Sequence, residues 1–125
     1  NKDAWASTWA EDASWALPGM EQQGRANIVA MWQGAMGGFP FVFHMMHASP
    51  KIEVNGDQAK ARWYLSEYIQ DAQQNNSMNL GVYDDKMALI NGQWLFTRRE
   101  FNVLYTGPAD LSGQLIPYPH ATPQV

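Results

Sequence analysis

The sequence predicts an α+β fold in which two helices come first and an antiparallel sheet follows. Apolar residues recur at helical spacing at about residues 2–12 and 24–36, whereas alternating β-type runs begin at residue 40. Two of these runs end in VNGD and INGQ, which are hairpin signals, so neighbouring strands are expected to be antiparallel. Helices followed by consecutive strands are typical of the α+β class.

The two predicted helices have different end signals. The first, at about residues 2–12, has the acidic Asp3 near its start and is followed by a short strand, SWAL, that ends at Pro18-Gly19. The second, at about residues 24–36, has apolar side chains on one stripe and Gly37-Gly38 as its stop. Because the chain begins inside an apolar pattern, we expect a further helix upstream.

Four strands are predicted after the helices. They cover residues 40–54 with a break at Ser49-Pro50, 58–70, 77–90 and 93–105. Residues 1–107 are therefore expected to form one domain, and residues 108–125, which hold four of the seven prolines, an extended tail.

Composition excludes several classes of function. At 125 residues with 46% hydrophobic side chains, the chain is long enough for one well-packed core. The formal charge of −4 and eight scattered Lys and Arg residues argue against nucleic-acid binding. The absence of cysteine excludes disulfides and thiolate metal sites. The sequence contains no run of eighteen apolar residues, the length that a membrane-spanning helix needs. We expect a soluble, cytoplasmic protein.

Both faces of the predicted sheet carry apolar side chains. Alternation places Trp63, Leu65 and Glu67 on one face and Tyr64 and Tyr68 on the other. The helices can cover only one face, so we expect a second copy of the chain to cover the outer face as a homodimer.

Several stretches together resemble a known family. These are WAEDASW, FHMMHASPKIEVNGDQAKARWYLSE, GVYDD and NGQWLFTRREFNVLY. In this order they resemble the SnoaL-like group of the nuclear transport factor 2-like superfamily over residues 1–107. The resemblance implies a cystatin-like cone, in which a curved antiparallel sheet wraps the helices around a deep apolar pocket. The family includes dehydratases, isomerases, polyketide cyclases and dehydrochlorinases, but also binding modules without catalysis, so the fold alone does not decide the function.

The main candidate for catalysis is His44. His44 and His47 are three residues apart in a strand, so they point to opposite faces and cannot hold one metal ion together. The resemblance places His44 where the dehydratase and dehydrochlorinase branches have a catalytic base, a role that suits a neutral imidazole. It also implies an orienting carboxylate upstream of Asn1. The alternatives are that Glu11 or Asp12 replaces this carboxylate, or that the domain lacks the pair. A core histidine and a ligand contact remain alternatives for His44, and His47 is expected to be structural.

Further candidates follow from the same face of the sheet. Tyr83 and Arg99 are predicted to stabilise an oxyanion, and Arg99 is expected to pair with Glu67 or Asp85 because an isolated buried charge is costly. The predicted substrate-binding residues are Trp15, Trp32, Phe39, Trp63, Leu65, Glu67, Asn79, Asp85, Phe101 and Val103.

These residues predict a domain that binds a small apolar or cyclic molecule. The favoured activity is a lyase or isomerase that needs no cofactor and no metal and uses a histidine base. The alternatives are a ligand-binding or assembly domain without catalysis and an accessory subunit of an oxygenase.

Overall fold

The computed structural model describes residues 1–109 and 113–115 of the chain. Within this part there are two helices, α1 (Lys2–Ala6) and α2 (Arg25–Gly37), and eight strands. The strands are β1 (Trp9–Leu17), β2 (Met20–Gln23), β3 (Phe41–Met46), β4 (Lys51–Asn55), β5 (Gln58–Gln70), β6 (Asn76–Ile90), β7 (Gln93–Gly107) and β8 (Gln114–Leu115). The predicted α+β class is confirmed.

All the strands belong to one curved sheet that does not close. Its order is β2-β1-β7-β6-β5-β3, with β4 also paired to β5 and β8 to β7. Neighbouring strands are antiparallel except β1 and β7, which run parallel. Strands β3 and β4 both pair with β5, β4 with its first half and β3 with its second half.

The first helix is much shorter than predicted. Asn1 caps α1 by accepting hydrogen bonds from the backbone N–H groups of Asp3 and Ala4, both at 3.1 Å. The hydroxyls of Ser7 and Thr8 then donate to backbone carbonyls three residues earlier, which ends the helix after two turns at most. The expectation of a helix to residue 12 was wrong because the apolar residues from Trp9 onward pack as a strand instead.

The region around Pro18-Gly19 is a hairpin that the sequence did not predict. The short strand SWAL is the end of β1, and the chain turns at Pro18-Gly19 into β2, with Leu17 opposite Met20. Gly19 has a φ of 78°, the left-handed region that glycine adopts without strain. Strand β2 was missed because MEQQ is polar and exposed, which removes the alternation that marks a half-buried strand.

The remaining elements agree with the expectations. Helix α2 is confirmed to within one residue at each end, and the long run from residue 40 is two strands that are separated at Ser49-Pro50. The turn between β6 and β7 is Asn91-Gly92, with φ angles of 50° and 79°. Most of the proposed tail, residues 110–112 and 116–125, lies outside the described residues, and Gln114–Leu115 pairs with β7.

Tryptophan side chains form the centre of the core. Trp9 and Trp15 of β1 are buried beside Ile28 of α2, and their ring centroids are 5.5 Å apart. Trp5 of α1 stacks on Trp32 of α2 with centroids 4.7 Å apart. These four rings attach both helices to the inner face of the sheet, and large aromatic surfaces contribute strongly to such packing.

The outer face of the sheet has an apolar part and a charged part. Phe41, Phe43, Met45, Tyr64 and Tyr68 are exposed on β3 and β5. The basic residues are less scattered than expected, because five of the eight line one groove on this face. They are Lys51, Lys60, Arg62, Lys86 and Arg98, and the acidic Glu53, Asp84 and Glu100 lie among them. This mixture of signs gives no uniform basic stripe for a phosphate backbone.

Gly81 of β6 lies where the sheet has no room for a side chain. A Cβ atom at Gly81 would lie 2.3 Å from Cε2 of Phe101, whereas a Cβ at Gly34 of α2 would meet nothing within 4 Å. We predict that Gly81→Ala lowers the free energy of unfolding by about 1–3 kcal/mol, as overpacking does. The same substitution at the exposed Gly34 should raise it by about 0.5–1 kcal/mol, because alanine favours helices. Urea denaturation of both variants checks the opposite signs, and a stable Gly81→Ala variant would contradict this packing.

Candidate active site

A cavity of about 430 Å³ lies between the helices and the inner face of the sheet. Its wall is mainly apolar and includes side chains from both helices and from five strands. The apolar lining residues are Trp5, Trp15, Leu17, Met31, Trp32, Ala35, Met36, Phe39, Val42, Ile69 and Phe101. Five lining residues carry polar groups, namely His44, Glu67, Asn79, Tyr83 and Arg99. A mainly apolar cavity with a few polar groups is the usual form of a small-molecule site.

Three of the polar residues form a row across adjacent strands. His44 on β3 is directly opposite Glu67 on β5, and Glu67 is directly opposite Asn79 on β6. His44 Nδ1 lies 2.7 Å from Glu67 Oε1, and Asn79 Nδ2 donates to Glu67 Oε2 at 3.2 Å. Each carboxylate oxygen therefore has its own hydrogen-bond partner, and His44 has an acidic partner from within the sheet.

The environment of Glu67 keeps its carboxylate ionised. Burial raises the pKa of Glu67, but the hydrogen bonds from His44 and Asn79 and the charge of His44 lower it by more, so the net direction is down. An ionised carboxylate only accepts hydrogen bonds, so the proton between the two side chains belongs to Nδ1 of His44.

The second ring nitrogen of His44 faces a weak partner. Nε2 lies 3.2 Å from Sδ of Met46, two residues further along β3 on the same face. A thioether sulfur can accept a hydrogen bond but has no proton to donate. The contact is therefore a hydrogen bond only when Nε2 carries a proton, whereas in the neutral ring with its proton on Nδ1 the lone pair of Nε2 receives nothing from Met46. In that neutral form Nε2 is the basic atom of the ring.

Arg99 is paired with Asp85. Arg99 donates from Nε to Oδ1 of Asp85 at 2.8 Å and from Nη2 to Oδ2 at 2.7 Å. The guanidinium carbon also lies 4.0 Å from the ring centroid of Tyr83 and 4.3 Å from that of Phe96. Burial raises the pKa of Asp85, against the hydrogen bonds and charge of Arg99, which lower it, and with a further increase from Asp84. These contacts fix Arg99 in one place beside the cavity.

Tyr83 lies close to both Arg99 and His44. Its ring centroid is 6.1 Å from that of His44 and 5.1 Å from that of Phe101. Burial raises the pKa of Tyr83 well above its ordinary value; Arg99 lowers it, and Glu67 and Asp85 raise it. The phenol therefore stays protonated across the physiological range and is available as a hydrogen-bond donor.

His47 has a different environment from His44. Its Nε2 lies 2.9 Å from Oγ of Ser66, which belongs to the opposite face of β5 from Glu67. The two histidines point to opposite faces, as their spacing predicts, and His47 does not line the cavity.

A family model matches most of the sequence. The model of the SnoaL-like domain matches residues 1–100. The chain belongs to the SnoaL-like domain family. No curated relative matches the sequence significantly.

Solved structures share the fold of this SnoaL-like domain at low identity. A scytalone dehydratase-like protein from Novosphingobium aromaticivorans is 21% identical with a TM-score of 0.80, over 97% of this chain and 82% of the other. A hexachlorocyclohexane dehydrochlorinase from Novosphingobium barchaimii is 18% identical with a TM-score of 0.79, over 95% and 82%. A nuclear transport factor 2-like protein with a cystatin-like fold, from N. aromaticivorans, is 22% identical with a TM-score of 0.68, over 88% and 73%. At these identities the similarity shows the fold alone.

The cavity of the SnoaL-like domain brings together most of the predicted site residues. The predicted residues that line it are His44, Tyr83, Arg99, Trp15, Trp32, Phe39, Glu67, Asn79 and Phe101. Their catalytic and substrate-binding roles stay predictions. The expected pair of Arg99 with a carboxylate forms with Asp85, which leaves Glu67 to His44.

Four predicted substrate-binding residues do not line the cavity. Strand β3 ends opposite Leu65, so Trp63 lies beyond the end of that wall. The Phe101 ring covers Gly81, which separates Leu65 from Val103 in the same row. Asp85 is buried on Arg99, with no exposed side-chain surface. These residues belong to the correct face of the sheet, but the cavity reaches only part of that face.

Several lining residues were not predicted. Ile69 and Val42 are opposite one another on β5 and β3, and alternation from Glu67 and His44 was sufficient to find them. Met31 and Ala35 belong to the apolar stripe of α2, and Met36 follows next along the same helix. Glu11 and Asp12, the proposed substitutes for an upstream acid, do not line the cavity.

Neither a membrane span nor a metal cluster is found among the described residues. No helix there is both long and apolar enough to cross a membrane, and no group of three metal-ligating side chains lies close together.

The ion pair between Asp85 and Arg99 should contribute strongly to stability. The Asp85 side chain is fully buried and that of Arg99 is 15% exposed, so Asp85→Asn leaves a buried guanidinium without its carboxylate. We predict a loss of about 3–5 kcal/mol in the free energy of unfolding, as found when one partner of a buried pair is removed.

The neighbouring residue provides a matched control for this prediction. Asp84→Asn removes the carboxylate that Arg62 contacts on the outer face, where the two side chains are 29% and 21% exposed. Water can solvate part of that pair, so this loss should be smaller. Equal losses in chemical denaturation of the two variants would contradict the burial argument.

Proposed function

We propose that this SnoaL-like domain binds a small, cyclic and mainly apolar molecule with a carbonyl group and removes a proton from the carbon next to that carbonyl. One observation carries the proposal, namely that a histidine in a mainly apolar cavity has a carboxylate 2.7 Å from one ring nitrogen. This pairing is the arrangement by which enzymes orient a histidine base.

The proposed reaction begins at Nε2 of His44. This atom takes the α-proton of the substrate, and Glu67 stabilises the imidazolium that forms through its contact with Nδ1. The electron pair of the broken C–H bond moves onto the carbonyl oxygen, which becomes an enolate. Tyr83 and Arg99, on the same wall, donate hydrogen bonds and positive charge to this oxygen.

Two outcomes complete the reaction without any external reagent. In an elimination, the enolate collapses and expels a leaving group from the β-carbon. A departing hydroxide takes the imidazolium proton and leaves as water, whereas after loss of a halide ion the imidazolium releases its proton to solvent. In an isomerisation, the same proton returns to a different carbon of the substrate. Dehydratase-like and dehydrochlorinase structures among the fold neighbours are consistent with the first outcome.

The apolar wall supports the choice of a cyclic substrate. Trp5, Trp15 and Trp32 line the cavity together with Phe101, so flat aromatic surfaces form part of its wall. Such surfaces favour rings, and the low exposure of the Arg99 side chain, 15%, strengthens the charge stabilisation that it can give.

A binding domain without catalysis is the second candidate, and the position of Met46 favours it. Its Sδ atom lies 3.2 Å from Nε2 of His44, the position that a substrate proton would take. If Met46 keeps this position when the cavity is filled, His44 contacts a ligand only through its ring and no proton is removed.

Deuterium exchange tests for proton removal without knowledge of the natural substrate. We predict that the protein accelerates incorporation of deuterium at the α-carbon of β-tetralone, a bicyclic ketone, in deuterium oxide. His44→Gln should reduce the protein-dependent rate by about 100-fold or more, which is the usual contribution of a general base. Proton NMR measures the exchange directly.

His47 gives the matched control for this experiment. His47→Gln makes the same chemical change on the opposite face of the sheet, and the rate should stay that of the wild type. If β-tetralone binds but exchange is no faster than in buffer, the binding domain is the correct interpretation. Equal rates for wild type and His44→Gln would exclude His44 as the base.

The predicted homodimer is a second proposal, supported by the outer face. Its apolar part leaves Phe41, Phe43 and Tyr64 each about half exposed, which is unusual for aromatic side chains. The adjoining groove carries both basic and acidic residues, so a second copy related by two-fold symmetry can complement it.

A substitution within the apolar part tests the dimer. We predict a dimer in light scattering at micromolar concentration and a monomer for Phe43→Glu, because a carboxylate would be buried in the interface. Ile52→Glu is the control, since Ile52 is similarly exposed (53% against 50% for Phe43) but belongs to the inner face of β4. A monomeric wild type, or equal effects of the two substitutions, would rule out this interface.

A further inference from the structure

We propose that Glu67 and Asn79 act on the chemistry only through His44, as positioning residues that hold the imidazole proton on Nδ1. This inference rests on the proposed function of His44 as a base. It changes the role of both residues, which the sequence suggests as contacts to a substrate, and it makes the sheet itself the source of the acid that His44 needs.

The register of three strands brings the side chains of this row together. His44, Glu67 and Asn79 are directly opposite one another on β3, β5 and β6, all on the inner face. Side chains directly opposite in neighbouring strands are about 5 Å apart at Cβ, so a histidine, a glutamate and an asparagine can meet there without a bulge or a bent strand. The alignment therefore depends only on the regular pairing of these three strands.

The two carboxylates on this wall, Asp85 and Glu67, have different partners. Asp85 uses both of its oxygens on Arg99, at 2.8 and 2.7 Å. Arg99 is thus satisfied without Glu67, whose two oxygens are occupied by His44 and Asn79. Each oxygen of Glu67 is thus held by a neighbour within the sheet, whereas Tyr83 and the cation of Arg99 face the same cavity without a contact to Glu67 or His44 that would occupy their donors.

Asn79 has a specific part in this arrangement. A glutamate has three rotatable side-chain bonds, and a carboxylate fixed at one oxygen can still turn about it. The hydrogen bond of 3.2 Å from Asn79 Nδ2 to Oε2 fixes the second oxygen and so directs Oε1 at Nδ1. It also helps to keep the pKa of Glu67 low, and an ionised Glu67 cannot offer a proton to Nδ1.

The consequence concerns the other nitrogen of the ring. With the only ring proton on Nδ1, the lone pair is on Nε2, and Met46 Sδ accepts a hydrogen bond there only after Nε2 has taken up a proton. In the other tautomer Nε2 would carry the proton and could not accept one from a substrate. The row of three residues therefore decides whether Nε2 of His44 can act as a base.

Two substitutions test the row. Glu67→Met removes the acceptor at similar length, and Asn79→Leu removes the donor that holds it. In the full chain labelled with nitrogen-15 in histidine, long-range proton–nitrogen spectra distinguish the two neutral tautomers, and a His44→Gln sample assigns the signals. We expect the Nδ1–H tautomer in the wild type, a shift toward Nε2–H in Glu67→Met and a smaller shift in Asn79→Leu.

The rate of β-tetralone exchange gives the second measurement. The maximal rate should fall by about two orders of magnitude in Glu67→Met and less in Asn79→Leu, because a misplaced tautomer removes the base. The ketone concentration at half-maximal rate should stay the same, since neither residue binds the substrate. Asn102→Leu is the control, because Asn102 contacts the carboxylate of Asp84 on the outer face, at 3.5 Å.

The two measurements separate this inference from the proposed function. If the tautomer shifts as expected but the wild type shows no exchange, the row orients His44 and the proposed activity is wrong. If the wild type is active and Glu67→Met leaves both the tautomer and the maximal rate unchanged, the inference fails and the activity stands. A higher half-maximal concentration with an unchanged tautomer would also overturn it, because that result shows direct contact with the substrate.

Discussion

The pairing of Asp85 with Arg99 is the interaction on which the polar side of the cavity depends. Both side chains are buried, and an arginine in that position must have a carboxylate or leave the interior. Asp85 satisfies it through two hydrogen bonds, and the rings of Tyr83 and Phe96 hold the guanidinium at about 4 Å. Since Arg99 needs no second acid, Glu67 can pair with His44. Arg99 and His44 both line the cavity, so the first pair places a fixed cation there and the second places the proposed base.

The apolar side of the cavity depends on the tryptophan cluster. Trp5 and Trp32 stack where α1 and α2 meet, and Trp15 continues this surface onto β1. The cluster is part of the core and also part of the cavity wall, so the same residues stabilise the domain and shape the site. Substitutions of these tryptophans would change stability and binding together, and for this reason polar residues on the sheet are better tests of function.

The sequence was sufficient for the fold class, the second helix and the main strands. Hairpin signals at VNGD and INGQ and alternation along the strands are local properties, and the structure follows them. The prediction of the first helix was wrong because Trp9 has helical spacing from Trp5, four residues earlier, whereas burial of Trp9 against Phe96 and Ile28 favours a strand. Tertiary packing overrode the local pattern there. Strand β2 was missed for the opposite reason, because its polar and exposed side chains give no local pattern that predicts a strand.

The partner of His44 shows where prediction from a single sequence reaches its limit. Alternation places His44 and Glu67 on one face, but their contact also requires the register between β3 and β5. A hairpin fixes register through its turn, and β5 has such a turn only with β4, at Asn55 and Gln58. Strand β3 reaches β5 through the break at Ser49-Pro50, where Ser49 has a φ of 70° and one residue more or less would move His44 to the outer face. The spacing of 23 residues between His44 and Glu67 therefore carries no signal in the sequence. The constraint that brings the acid to the base is the conformation of that break, which begins five residues after His44 in the sequence.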